Sequence, residues 1–233
     1  MAFGGIVILM FGGFLALVIL IGVLGYLSAK KRREAFGALA AQRGWSYVER
    51  DDRWVDGFVG APFGLGHSRR SENVLSGQYD GRPFVAFDYT YYTTEHSTDS
   101  EGRSTSREVS HSFFVAAIDV GASFPALEVN PEGFFSRVIG RLTNRDIELE
   151  SEDFNRAFTV TCPDRKFASD VLHPRMMEFL LQHRDSAFRF DRRYILTVRA
   201  GQASIPEVDA SLVLIDAILD QVPEFVWRQA EGR

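Results

Sequence analysis

The N-terminal segment carries the strongest hydrophobic pattern in the chain. Every position from Phe3 to Leu27 is apolar, glycine or tyrosine, a run of 25 residues. About 20 such residues suffice to cross the hydrocarbon core of a bilayer. Backbone groups in hydrocarbon must be paired within the segment, so the run predicts a transmembrane helix. A cleaved signal peptide is disfavoured because the start, Met1-Ala2, is uncharged and the apolar core is too long.

Four basic residues follow this run at once and are predicted to lie at the membrane interface: Lys30, Lys31, Arg32 and Arg33. Basic residues beside a span stay on the cytoplasmic side of the membrane. The sequence therefore predicts a single-pass protein of the cell membrane, with its N-terminus outside and residues 30–233 in the cytoplasm. The pair Gly12-x-x-x-Ala16 would permit close helix approach, so a homo-oligomer through the span is an open alternative.

After the basic residues, the pattern changes from helix to strand. Residues 29–43 place apolar side chains at helical spacing, and Gly44 ends that helix. Residues 51–70 form an irregular loop whose aromatic residues are expected to pack on the core. Asn73–Tyr79 and Pro83–Thr93 alternate as strands around Asp80-Gly81, a strong hairpin turn.

The rest of the chain mixes both patterns. A polar loop is expected over 94–106 and a returning strand over 108–120. Ser204-x-x-Glu207 is a capping box that opens an amphipathic helix. Further helices are predicted over 133–142 and from Pro163-Asp164 to a break at His173-Pro174, and a second helix after that break carries Met176, Met177, Phe179 and Leu180. Further strands are predicted at 45–48, 126–129, 147–150, 154–162, 188–190 and 194–199.

These elements predict an α+β fold: an N-terminal transmembrane helix, then a cytoplasmic domain with an antiparallel sheet and several packed helices. We divide the chain into an anchor over 1–28, a juxtamembrane basic helix over 29–44 and a domain over 45–233. A sub-domain boundary near 121–146 is an alternative, although about 200 residues fit one domain.

The distribution of charge also distinguishes the N-terminal segment from the domain that follows it. The 233 residues hold 26 basic and 31 acidic side chains, and four of the basic ones lie before residue 34. The remaining 200 residues therefore have 22 basic and 31 acidic side chains, a net charge of −9. An acidic domain without a basic, aromatic-interleaved stripe argues against nucleic-acid binding. The single cysteine, Cys162, excludes a disulfide framework, and its apolar strand favours a buried structural role.

The candidate chemistry is sparse. In the loop Gly66–Arg70, His67, Arg69 and Arg70 are candidate ligand-binding residues for an anion; a solvated basic loop is the alternative. Asp88 is the best-placed carboxylate in an apolar strand, but solvent exposure is the simpler expectation. The spacing of the histidines supports no metal site, and no motif indicates a cofactor.

Several segments resemble a known group of proteins. Gly64–Gly77, Gly81–Tyr89, Phe158–Ala168 and Pro174–Met177 resemble uncharacterised single-pass membrane proteins of high-GC Gram-positive bacteria. The body is similar to DUF3137-type domains. The resemblance covers most of the chain and implies no particular activity.

Three functions follow as hypotheses. The leading one is a membrane-tethered, non-catalytic binding or scaffold domain, because no catalytic constellation accompanies the tether. The first alternative is a membrane-surface enzyme with a site near His67–Arg70 and Asp88. The second is a lipid or small-ligand sensor. The expected partners are the lipid bilayer and a protein partner or a second copy of the chain.

Overall fold

A computed structural model describes residues 2–98, 104–134, 147–184 and 187–232, with side chains from residue 12 onwards. Its first element, α1, runs without a break over Ala2–Arg43. The predicted anchor and the predicted juxtamembrane helix are therefore one continuous helix. Gly44, at a φ of 68°, ends it in the left-handed conformation that glycine adopts without strain.

The two ends of α1 have different surroundings. The stretch Gly12–Arg43 is long and apolar enough to cross a membrane, and the side chains of its most hydrophobic window are unburied. Near the C-terminal end, Phe36, Leu39 and Ala40 are buried against the domain. Burial of a side chain such as Phe or Leu stabilises the packed state by about 1.5–3 kcal/mol. The helix that carries the apolar span is thus also part of the domain core.

The described residues form one antiparallel sheet of six strands. Its order is β1-β2-β3-β4-β5, and β6 also pairs with β4. The long strand β4 has three neighbours because β3 and β5 pair with separate stretches of it, residues 104–118 and 128–131, while β6 pairs over 113–129. The β4–β6 pairing shifts register between Asp119 and Leu127, where Gly121 has a φ of 75°. The strands are β1 Ser46–Arg50, β2 His67–Tyr79, β3 Arg82–Thr98, β4 Ser104–Pro131, β5 Phe158–Thr161 and β6 Phe188–Ala200.

Besides a short 3-10 helix at Asp52–Trp54, five α-helices follow α1 in the described residues, and they confirm several predicted starts. Asp164 caps one helix and accepts a hydrogen bond from the Phe167 amide. The capping box of Ser204 and Glu207 opens another. The helices are α2 Glu152–Ala157, α3 Arg165–Val171, α4 Pro174–Gln182, α5 Ile205–Gln221 and α6 Glu224–Glu231.

Alternation along β3 builds two cores, one on each face of the sheet. Phe84 and Ala86 join the larger core, beneath α1 and the other helices. Val85, Phe87, Tyr89 and Tyr91 join the second core, whose cover is the loop before β2, with buried Phe58 and Phe63. The prediction that aromatic residues hold this loop on the core is confirmed.

Some predicted elements differ from the structure. The predicted strand 154–162 is wrong in its first part: residues 154–157 are helical, because Ser151 caps α2 by accepting a hydrogen bond from the Phe154 amide. Residues 147–150 form no strand, and the side chain of Asn155 instead bonds both backbone groups of Leu149. The two short strands predicted at 188–190 and 194–199 are one strand, β6.

Other predictions are extended by the structure or fall outside it. The second hairpin is longer than predicted, since β3 continues to Thr98 and β4 begins at Ser104. Residues 66–70 are not a loop: from His67 onwards they belong to β2. Most of the helix predicted at 133–142 lies outside the described residues, as does much of the alternative boundary near 121–146.

Candidate functional site

The junction between α1 and the sheet contains a buried ion pair. Two Nη atoms of Arg32 donate to the carboxylate of Asp88 on β3, and one of these bonds measures 3.0 Å. Asp88 is only 1% exposed and the Arg32 side chain 21%. Arg32 also donates to the backbone carbonyl of Ala203, at 2.6 Å from Nη2 and 3.2 Å from Nε. The expectation that Asp88 is solvent-exposed is therefore wrong.

Two further side chains complete this junction. The register of β2 against β3 shifts between Glu72 and Leu75, and Asn73 in the shift has a φ of 51°. Its amide nitrogen donates to Asp88 at 2.8 Å. Its amide oxygen accepts from the Tyr47 hydroxyl at 2.9 Å. We call the four residues Arg32, Tyr47, Asn73 and Asp88 the anchor junction.

The anchor junction is suited to holding two elements together and not to catalysis. The Asp88 carboxylate accepts three hydrogen bonds, which leaves little capacity to take a proton from a substrate. Burial raises the pKa of the Tyr47 phenol, and the nearby Glu49 carboxylate raises it further. The phenol is therefore held as a neutral donor. A buried charge that is paired and fully hydrogen-bonded fixes one arrangement of the chain, and here it fixes α1 against β3.

The remaining basic residues of the predicted membrane interface divide into two groups. Lys30 and Lys31 are exposed, and Lys30 approaches Glu34 at 3.9 Å, one helical turn away. Arg33 instead reaches the domain and pairs with Glu49 of β1 at 2.5 Å. That all four residues lie at the membrane interface stays a prediction, but Arg32 and Arg33 also have partners in the domain.

The predicted ligand-binding residues lie at one end of β2 but do not converge. His67 is within 3.3 Å of the Thr94 hydroxyl and 3.8 Å of Glu108. Arg69 pairs with Asp56 at 2.7 Å.

Arg70 points elsewhere. It donates to the Tyr92 hydroxyl, and its guanidinium lies 5.2 Å from the centre of that ring. Arg69 acts electrostatically on Tyr89, which belongs to the opposite face of β3 from Tyr92. The three side chains therefore serve three separate contacts, and anion binding at this position stays a prediction.

The enzyme alternative required Asp88 beside this group. The register pairs His67 with Tyr92, four residues or about 13 Å from Asp88 on β3. Arg70 pairs with Thr90, two residues or about 7 Å from Asp88, but its side chain bonds to Tyr92 on the far side of that position. Asp88 is also occupied by Arg32. Among the described residues, no three His, Cys, Asp or Glu side chains are grouped to bind a metal ion.

The sensor alternative required a deep dry cavity. A recess of about 270 Å³ lies between β6 and α5, and it is partly polar because His183, Thr197 and Arg199 line it. Arg199 is paired with Glu207 at 3.0 Å. Cys162 is buried, and burial raises the pKa of its thiol, as expected for a structural cysteine.

Sequence reasoning missed the anchor junction because its residues are far apart in the chain. Arg32 and Asp88 are separated by 56 positions, and Arg32 belongs to a basic run that a stop-transfer signal explains fully. One signal was available: Asp88 stands between Phe87 and Tyr89, in a strand that is apolar on both faces near that point. A buried carboxylate there needs a cation or hydrogen-bond donors close to it.

No family model matches the chain, and no curated protein matches it. Its structure is similar to the crystal structure of the mycobacterial trehalose monomycolate transport factor A, TtfA, with a TM-score of 0.56. The likeness covers 84% of this chain and 96% of that one, at 14% sequence identity. At this identity the similarity establishes a shared fold. The resemblance to DUF3137-type domains stays a prediction.

Proposed function

We propose that this chain is a membrane-tethered, non-catalytic binding domain that assists another membrane component. The observation that carries the proposal is the anchor junction. A span that is only a tether needs no fixed contact with its domain, yet here the spanning helix enters the domain core and is held by a buried ion pair. Such a connection presents the domain to its surroundings in one orientation.

Two other observations support this role. The carboxylate best placed for chemistry is occupied by Arg32, and the candidate ligand-binding residues point to different partners. The similarity to a transport factor favours an accessory role beside a transport system over catalysis. We further propose that the domain is cytoplasmic, since the four basic residues at 30–33 follow the span.

The domain surface suggests where a partner could be captured. In the described part of the domain, large exposed apolar side chains are scattered: Val48, Val59, Val213 and Phe225. The span presents the contiguous apolar surface, and a Cβ added at Gly12 or Gly13 would meet no atom within 4 Å. Contacts with a protein partner or a second copy are therefore expected through the span, the polar surface of the domain, or both.

In-membrane photo-cross-linking tests this proposal. A photoreactive amino acid is placed at Gly13 in the span, at Val59 and at Val213, and adducts from intact cells are identified by mass spectrometry. We expect a specific protein adduct from at least one position. Asp88→Asn loosens the junction, so loss of that adduct in this variant would show that partner binding depends on the fixed orientation of the domain. The matched control is Glu49→Ala, which breaks the exposed ion pair with Arg33. Recovery of lipid adducts alone at all three positions would refute a protein-binding role.

Orientation is tested separately. A phosphatase that is active only outside the cell is fused after the last residue, and a reporter active only in the cytoplasm is fused at the same place. We expect activity from the cytoplasmic reporter alone. Activity of the external phosphatase would overturn the proposed topology without bearing on partner capture.

A further inference from the structure

Contacts at two heights along the axis of α1 fix the direction of the sheet relative to this helix. At the level away from the span, Arg43 lies 5.2 Å from the Trp45 ring, which packs at 4.6 Å against Phe84 at the start of β3. At the level nearer the span, Arg32 holds Asp88. From Arg43 to Arg32 the helix advances 11 residues, about 17 Å. From Phe84 to Asp88, β3 advances four residues, about 13 Å, in the same sense.

The strand does not stop at the anchor junction. β3 continues from Asp88 to Thr98, ten more residues or about 33 Å. Along α1, the last residue of the apolar run, Leu27, is only five residues beyond Arg32, about 7.5 Å. Even if β3 were inclined by about 45° to α1, it would advance about 23 Å along the helix axis and reach beyond the level of Leu27.

We call the part of the sheet beyond the junction the polar end: His67–Arg70 of β2, Thr93–Thr98 of β3 and Ser104–His111 of β4. It is a continuous, hydrogen-bonded extension of the sheet. Hydrogen bonds between side chains on the two strands link Thr93 to His111 at 2.8 Å and His96 to Ser106 at 3.0 Å. The cross-strand register also continues without a shift to the pair Thr98 and Ser104.

The composition of the polar end determines how it can meet a membrane. Of its 18 residues, nine are Ser or Thr, three are His, three are Arg and two are Glu, and Val109 alone is apolar. With neutral histidines the net charge of these 18 residues is 3 − 2 = +1. Adding the connecting residues 99–103 brings the net charge to 0, whereas residues 34–233 together carry −9. It cannot enter hydrocarbon, and it lacks the acidic charge that an anionic surface would repel.

We infer that the polar end lies in the headgroup layer of the bilayer that holds α1. There its hydroxyl and imidazole groups and the exposed guanidinium of Arg107 bond to phospholipid phosphate and glycerol oxygens. The span beside it is bare, since Tyr26 and Leu27 are 62% and 52% exposed, so the hairpin extends over the lipid and does not lie along α1. Membrane helices tilt by about 20° on average, which accommodates a domain inclined towards the surface. The inference rests on the proposed tether, but it holds for either orientation and needs no protein partner.

Quenching by labelled lipid tests the inference on the full chain in phosphatidylcholine liposomes. Thr98→Cys and Gln78→Cys are made in a Cys162→Ala background and labelled with the same fluorophore. Both native residues are exposed, so neither substitution disturbs the core. The probe is a phospholipid with a nitroxide on its headgroup. Gln78 pairs with Pro83, so the two positions are 15 residues apart along β3, about 50 Å.

We expect several-fold stronger quenching at position 98 than at position 78. Adding Asp88→Asn should narrow that difference, because the junction sets the direction of the sheet. Equal quenching at both positions, or stronger quenching at 78, would overturn the inference and leave the polar end available to a membrane protein. Because the liposomes contain only lipid and this chain, the outcome is independent of whether cross-linking in cells recovers a partner.

Discussion

Asp88→Asn is the most informative single change, because it removes one charge from the anchor junction and keeps the shape of the side chain. The amide retains one oxygen for Arg32 or Asn73, but it cannot neutralise the guanidinium. Removing one partner of a buried ion pair costs about 3–5 kcal/mol. Because a fifth of the Arg32 side chain reaches water, we expect the lower end, about 3 kcal/mol in the free energy of unfolding.

Urea unfolding of the full chain in a mild non-ionic detergent measures this loss. Tryptophan fluorescence reports on the domain alone, since the three tryptophans all follow α1: Trp45, Trp54 and Trp227. With a denaturant slope of about 2 kcal/mol per molar, a loss of 3 kcal/mol lowers the midpoint by about 1.5 M. The matched control is Glu49→Ala, whose partner Arg33 is the next residue on the same helix. That exposed pair should contribute at most about 0.5 kcal/mol.

A double-mutant cycle with Arg32→Gln isolates the pair itself. We expect a coupling energy of about 2 kcal/mol between positions 32 and 88, within the range for contacting residues. A midpoint for Asp88→Asn no lower than that of the Glu49→Ala control would contradict the assignment. So would a coupling energy within about 0.3 kcal/mol of zero.

Three further predictions concern single positions. In the same urea assay, Gly66→Ala should destabilise the domain by at least about 2 kcal/mol more than Gly64→Ala. Both glycines have positive φ, but only at Gly66 would the new Cβ lie 2.3 Å from a carbonyl oxygen of β3. Cys162 should react with a thiol reagent only after unfolding, because burial raises its pKa and hides its sulfur; rapid labelling of the native protein would contradict this. Glu207→Gln should destabilise the start of α5 at pH 7, because the Ser204 amide and hydroxyl lower the pKa of the Glu207 carboxyl. The ionised carboxyl stabilises the fold above its unfolded-state pKa and loses this effect as pH falls through its lower folded-state pKa. The difference in free energy of unfolding between Glu207→Gln and the parent chain should therefore vanish in acid.

Local patterns predicted much of the fold, and their failures have physical causes. The Asp80-Gly81 turn was identifiable because its two residues accept positive φ, observed at 45° and 74°. The capping box at Ser204 was identifiable for a similar local reason. Residues 154–157 were not, because four residues are too few to separate a short helix from the strand that follows, and the Ser151 cap decided between them.

The candidate site was much less predictable than the fold. The basic residues at 30–33 were visible as a group, but nothing local distinguishes Arg32 from Lys31 beside it. In the structure Lys31 is exposed, whereas Arg32 reaches Asp88. The difference arises from the angular position of each residue around α1 and from the strand that packs there.

By itself the sequence determined the apolar span, its helical form, the antiparallel hairpins and the separation of a basic segment from an acidic domain. These follow from local periodicity, turn chemistry and charge, which need no knowledge of distant residues. Only the tertiary structure decided that the helix with the apolar run is part of the domain, that Asp88 is buried, and that the His67–Arg70 residues extend a strand beyond the junction. Those outcomes depend on contacts between different segments of the chain, such as Arg32 with Asp88, 56 positions apart. Local periodicity gives no information about which distant segments come into contact.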